Sequence, residues 1–202
     1  MENISLLNEA KNADYVFISV MGPHAQEKED VILKRKTDDI KNYGESFWVS
    51  GIDEGFFTEC RKVLDGKAGY LILVESSGNG TSAVDTKFSE PATKYSEDKK
   101  EWKDIRISNV TGNMHKDGTP AYYFDNIELY EDEEAPISLN YYINLNYYSE
   151  NDNELEAIKF RQGRSNVFAK KNETKLKGGM KSPNRKIVAV LRLIYPYVVW
   201  VK

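Results

Sequence analysis

The sequence predicts an α+β protein: a curved or closed, mainly antiparallel β-sheet with a few short peripheral helices, in one domain spanning 1–202. Three observations predict it. Short runs rich in Val, Ile, Tyr and Phe recur along the chain, as suits half-buried strands better than long helices. Turn residues punctuate those runs, with Gly-Pro at 22–23, Gly-Asn-Gly at 78–80 and Asp-Gly at 117–118. The intervals also lack the regular amphipathic helices of about ten to fifteen residues that parallel βαβ winding uses.

Taken in order, "NISLLNEAKN" has a short helical pattern with Leu6, Leu7 and Ala10 on one side. "DYVFISVMG" (14–22) reads as a strand closed by the Gly-Pro turn. In "EKEDVILKRKTDDIKNYG" (27–44) the segment "DVILKRK" fits a strand or a helix. Thr37 resembles an N-cap there, and Gly44 a helix stop. "ESFWVSG" (45–51) is strand-like. "DEGFFTECRKVLDG" (53–66) reads as a helix, with acids first, Arg61 and Lys62 late and Gly66 as its stop. "GYLILVES" (69–76) is apolar throughout and predicts a buried strand.

Beyond it come a strand at 82–88 and a polar loop through "SEPATKYSEDKKE". "WKDIRISNV" (102–110) alternates as a strand does. "AYYFDNIELYE" (121–131) predicts a central strand. "APISLNYYINL" (135–145) is ambiguous, because Ser138 suits a helix cap while Tyr and Ile favour a strand. "EAIKFRQGRSNVFAKK" reads as a strand pair or a strand bulged at Gly163. "KIVAVLRLIYPYVVWVK" closes the chain as one long strand bent at Pro196.

A chain of 202 residues buries a real core without staples. Its single cysteine, Cys60, allows no intramolecular disulfide and is expected to be reduced and packed within a helix. "MENISLLNEAKNADY" has no basic n-region followed by an apolar one. The most apolar segment is interrupted by Arg192 and Pro196, short of the roughly 20 apolar residues a spanning helix needs. The expectation is a soluble, cytoplasmic monomer or weak dimer, with no membrane partner and no cofactor.

The net charge of −4 hides an asymmetry. From Lys159 to Lys202 twelve Lys and Arg face one acid, Glu173, so the preceding chain is strongly acidic. Its acids concentrate in "ELYEDEEAP" (128–136). Such asymmetry hints at nucleic-acid contact, although solvation of two opposite faces explains it equally well.

Catalytic motifs fail on their chemistry. With two histidines and one cysteine, no set has zinc spacing. His24, Glu27 and Asp30 share the segment after the Gly-Pro turn, where a solvated polar loop explains them more simply. "SSGNGTS" (76–82) follows a strand but lacks both the GK[ST] and the G-x-G-x-x-G spacing that cradles phosphate. No orienting context joins Cys60 to a histidine. Glu75 is followed by Ser76 and Ser77, not by the acid-x-Lys of a metal-dependent nuclease.

What remains is aromatic and basic surface. Trp48, Tyr70, Tyr95 and Trp102 have rings able to stack on a base, each stack worth roughly 1–3 kcal/mol. Arg161, Arg164, Lys170 and Lys171 are able to hold phosphates. The competing explanation for Trp48 and Tyr70 is that they are core residues of buried strands.

The order of segments over residues 69–173 resembles EVE-type members of the PUA-like superfamily. Glu90-Pro91-Ala92-Thr93 stands where that family has a "PDPT"-like segment, and Trp102 where a Trp opens the next strand. "YEDEEAPISL" is similar to its "rPvsL" segment. "FRQGRSNVFAKKNE" is similar to "vrqgRLSVqPVteeE", with Arg164, Ser165 and Val167 matching. "FWVSGIDEGFFTEC" lacks the family's "WxGVRNyqAR" segment, which puts its base pocket in doubt.

The resemblance implies a PUA-like pseudo-barrel core over about 45–173; the unmatched additions at 1–44 and 180–202 are candidates for extra strands able to pair with each other at a sheet edge. It implies a non-catalytic reader of DNA, RNA or a modified nucleotide, in a phage or defence setting. Its ligand-binding residues would be Trp48, Ser50, Tyr70, Trp102, Arg161, Arg164, Ser165, Lys170 and Lys171. Two alternatives stay open. One is an enzyme acting on a nucleotide or nucleic acid through His24, Glu27 and Asp30; the other is an accessory protein that binds a partner through the acidic face at 128–134.

Overall fold

The computed structural model describes residues 5–21, 29–49, 61–75, 91–95, 102–108, 119–130, 137–138, 142–144, 166–171 and 184–201. The chain forms two compact units, both discontinuous in sequence. The first is built from residues 1–21, 69–76 and 128–192, the second from 22–68, 77–127 and 193–202.

The first unit begins with helix α1 (Leu6–Asn12). Ser5 caps it by accepting the Asn8 N–H at 3.3 Å, satisfying one of the amides a helix start leaves unpaired. Two more are met from a distant stretch of chain. Leu6 N–H donates to the Glu128 carboxylate at 2.6 Å, and Leu7 N–H to the Tyr130 hydroxyl at 2.9 Å. Extended Ala13 ends the helix.

Leu6, Leu7 and Ala10 are buried, as their spacing predicts. They pack on Val16, Ile18, Val20, Ile72, Val74, Ala169, Ile187 and Val190. Truncating Leu6 or Leu7 to Ala would cost about 2–5 kcal/mol, from lost burial and the cavity left behind.

Beneath α1 lie β1 (Tyr15–Met21), β3 (Gly69–Glu75) and β9 (Asn166–Lys171), and β8 (Tyr142–Asn144) borders β9. With β11 (Ile187–Val201) they give the order β11-β3-β1-β9-β8. β1 and β3 are parallel, with Phe17 opposite Leu71 and Val20 opposite Val74. β1 pairs antiparallel with β9, and β9 with β8. The sheet is therefore mixed, not uniformly antiparallel.

The sequence held the reason. "YVFISVM" and "GYLILVE" are near-continuous apolar runs, the mark of strands covered on both faces. On one face Val16, Ile18 and Ile72 meet α1; on the other Phe17, Leu71 and Leu73 are equally buried. Among the described residues the strands of the two terminal additions do not pair with each other. β1 lies between β3 and β9, and β3 separates it from β11.

In the second unit, α2 (Glu29–Tyr43) is one continuous helix. Thr37, expected as an N-cap, sits in its interior and donates its hydroxyl to the Leu33 carbonyl at 2.9 Å. Gly44 ends it as expected: at φ +75 it takes the left-handed position that favours glycine, and its N–H bonds Ile40 O at 2.9 Å.

The helix buries Ile32, Leu33, Lys36 and Asp39 as one stripe. β2 (Ser46–Val49) follows and pairs antiparallel with β6 (Thr119–Leu129), which lies between β2 and β11 as the interior strand its composition predicts. β4 (Pro91–Tyr95) pairs with β5 (Trp102–Ser108), and Lys94 and Tyr95 pair with Val201 and Trp200. Pro91–Tyr95 was expected as part of a polar loop. It is a strand that opens on Pro, where a missing N–H costs little.

Residues 61–64 are helical and end through Asp65 and Gly66, both at positive φ. The rest of the helix expected over 53–66, including Cys60, lies outside the described residues, as does the strand expected at 82–88. Where "APISLNYYINL" was ambiguous, strands form at Ile137–Ser138 (β7) and Tyr142–Asn144, and β7 pairs with β10 (Asn184–Arg185).

β11 contributes residues 187–192 to the first unit and 193–201 to the second. The class is thus α+β, an open mixed sheet with few helices. No helix among the described residues is long and apolar enough to cross a membrane.

Candidate functional site

In the first unit the basic segment singled out from the sequence ends in β9. Phe168 and Ala169 are buried; Lys170 and Lys171 are exposed. Strand alternation sends the two lysines to opposite faces. Lys170 stands in register with Tyr15 on one side and Ile143 on the other. The Tyr15 ring stacks on Phe168 at 5.7 Å, and Phe168 meets Phe17 at 4.7 Å. A solvent-facing ammonium group therefore projects beside a supported aromatic row.

Lys171 has a different setting. Its ammonium donates to Lys11 O at 2.6 Å, in the last turn of α1, where the helix dipole favours a cation.

Tyr70 lies two strands from β9, on β3. It is half-buried against the core under α1, and its hydroxyl donates to the Glu9 carboxylate at 2.8 Å. Burial, then the bond to Glu9, push its phenol up to about 12. Tyr70 thus works as a strut between β3 and α1. Glu128, the first residue of the acidic stretch, is likewise engaged at the start of α1.

In the second unit Trp48 is half-buried on β2, opposite Tyr122 of β6. Phe47, its neighbour, is fully buried under the Lys36 ammonium, which stands 4.1 Å from the ring centroid. Alternation turns Trp48 to the other face of the strand. Trp102 opens β5 in register with Tyr95. Asp30 sits in the first turn of α2. Ser50, Arg161, Arg164 and Ser165, with His24 and Glu27, lie outside the described residues. No group of three metal-ligating side chains occurs among the described residues.

The second unit also holds a buried polar cluster that the sequence reading missed. Lys36 Nζ lies 3.7 Å from Asp39 Oδ2, and the Ser46 hydroxyl donates to the same oxygen at 2.9 Å. All three residues are buried. Burial raises the Asp39 carboxyl above the usual carboxylate range; Lys36, Ser46 and Arg35 oppose that.

A signal was available. Lys36 and Asp39 continue the stripe of Ile32 and Leu33 at helical spacing, so an apolar face carries two charges that must meet. The cluster ties α2 to β2. Nearby on β6, Tyr123 donates to the Glu45 carboxylate.

Fold and surface together define an α+β protein with a cation-bearing strand and half-buried aromatics. Comparison with protein-family models, curated proteins and solved structures finds no match to this chain.

Proposed function

We propose that this protein is a non-catalytic binder of nucleic acid or of a modified nucleotide, of the EVE-type, PUA-like kind, with the segment 158–172 along its contact surface. The observation that carries the reading is the exposed Lys170 near the end of that segment, in a stretch with twelve Lys and Arg against one acid. Lys170 projects beside Tyr15, so a cation and an aromatic edge occur together. Each phosphate so neutralised releases counterions, which is the main source of polynucleotide affinity. Trp102 at the start of β5, behind a strand opened by Pro91, fits the order of segments in that family.

Binding to labelled DNA and RNA, single- and double-stranded, modified and unmodified, tests the reading across a salt series. Affinity should fall steeply with salt, by a slope of about 0.9 per phosphate contacted on duplex DNA. Lys170→Ala and Arg164→Ala should each shallow the slope by about one unit and weaken all sequences alike. A protein with no salt-dependent affinity for any of these ligands is not a nucleic-acid binder. The acidic stretch at 128–134 would then be the surface to test for a protein partner.

A further inference from the structure

Among the described side chains of β11, Tyr195 is the most exposed, at 54%. Its neighbours Leu193, Tyr197, Val198 and Val199 are buried. A large aromatic ring held out from an otherwise covered strand needs a cause, and the backbone supplies it.

Tyr197 has φ +66, in the left-handed region that bulky residues avoid. Its surroundings over-determine that conformation. The Tyr197 ring is buried, its hydroxyl donates to Lys67 O at 2.6 Å, and Arg61 Nε donates to Pro196 O at 3.2 Å. The bend is thus pinned from one segment, residues 61–67. The two rings meet edge to face, 5.8 Å apart at 81°, which fixes how Tyr195 stands. Strain of this kind persists where structure maintains it, and it concentrates at ligand clamps.

The segment that pins the bend is cationic. "RKVLDGK" carries Arg61, Lys62 and Lys67 against Asp65, and Lys62 and Lys67 are exposed. An exposed ring on a bend held by a cationic segment has the parts that single-stranded nucleic acid uses: every base offers a π face, and cations track the backbone. We infer that Tyr195, held out by the Tyr197 bend, is a stacking platform for an unpaired base, with Lys67 taking a neighbouring phosphate. This rests on the nucleic-acid reading above and narrows it to single strands. The site belongs to the second unit and uses none of the residues of segment 158–172.

Anisotropy with labelled single-stranded DNA, single-stranded RNA and a duplex tests it on the whole chain. Tyr195→Ala should weaken single-strand binding by about tenfold, the scale of one lost stack, and leave the salt slope unchanged. Lys67→Ala should shallow that slope, by about 0.7 for one single-strand phosphate. Tyr195→Trp should keep affinity, and the indole emission it adds to that of the three native tryptophans, read as the difference from wild type, should be quenched by the single strand and not by the duplex. The DNA and RNA arms show which strand is preferred.

If wild type binds single strands and Tyr195→Ala binds within about twofold of it, or if single strand and duplex weaken equally, the stacking assignment is wrong and the broader reading stands. If wild type binds none of the three, both fall. Should Tyr195→Ala melt early, the indole quench decides alone.

Discussion

The Glu128 carboxylate accepts the Leu6 backbone N–H at 2.6 Å across 122 residues of chain, and with Tyr130 it closes the start of a seven-residue helix. A helix this short is not stable on its own, so its order depends on such caps and on the face it buries. Glu128→Ala removes a charged acceptor at the positive end of the helix dipole. A loss of about 1–2 kcal/mol is expected. Glu128→Gln keeps an acceptor and should lose less. Urea denaturation of both variants measures the difference, and equal midpoints for Glu128→Ala and wild type would contradict the capping role.

The Lys36–Asp39 pair predicts an asymmetry between single substitutions. Lys36→Met leaves Asp39 buried with Ser46 as its remaining close donor, at a cost of about 3–5 kcal/mol. Asp39→Asn keeps the bond from Ser46 but removes the Asp39 charge beside the Lys36 ammonium over Phe47. Replacing both by apolar residues of similar volume should recover most of the loss, since the desolvation of two charges disappears with them. Additive losses in the double variant would show that the two side chains do not act as a pair.

Alkaline pH should weaken the fold through Tyr70. Its phenol is pushed up to about 12 by burial and by the bond to Glu9, against about 10 in an unfolded chain. A raised folded-state value means that the unfolded chain gives up its proton first. The contribution is complete below pH about 10 and declines as pH rises towards about 12. Tyr130, also pushed up to about 12 chiefly by burial, adds to the same decline. Denaturation midpoints at stepped pH, read beside tyrosinate absorbance, test this. Tyr70→Phe should flatten the dependence while costing about 1 kcal/mol at neutral pH for the lost hydrogen bond.

Helix α1 was legible because Leu6, Leu7 and Ala10 share one side. The strands at 69–75 and 102–108 and the Gly44 stop were legible for similar local reasons. What escaped was non-local. Thr37 has the chemistry of a cap, yet the burial of Ile32, Leu33, Lys36 and Asp39 carries the helix through it. "PATKY" lacks strand composition and owes its form to pairing with β5 and with Val201. The parallel pairing of β1 and β3 joins segments about fifty residues apart, and only their unbroken apolarity announced it. Of the candidate ligand residues, Lys170 is exposed near the end of β9. Tyr70 is tied to Glu9, a tertiary bond that no local pattern encodes.

Because β11 is divided between the two units, the order of synthesis constrains when either can be completed. A ribosome makes β1, α2 and β3 long before it makes residues 187–201, at about 5–20 residues per second. Until then β3 lacks its neighbour on one side, and the 61–67 segment lacks the carbonyl and the ring it holds at Pro196 and Tyr197. Both units therefore reach completion together, after translation of this strand, and the apolar runs of β1 and β3 spend that interval in need of protection from other chains.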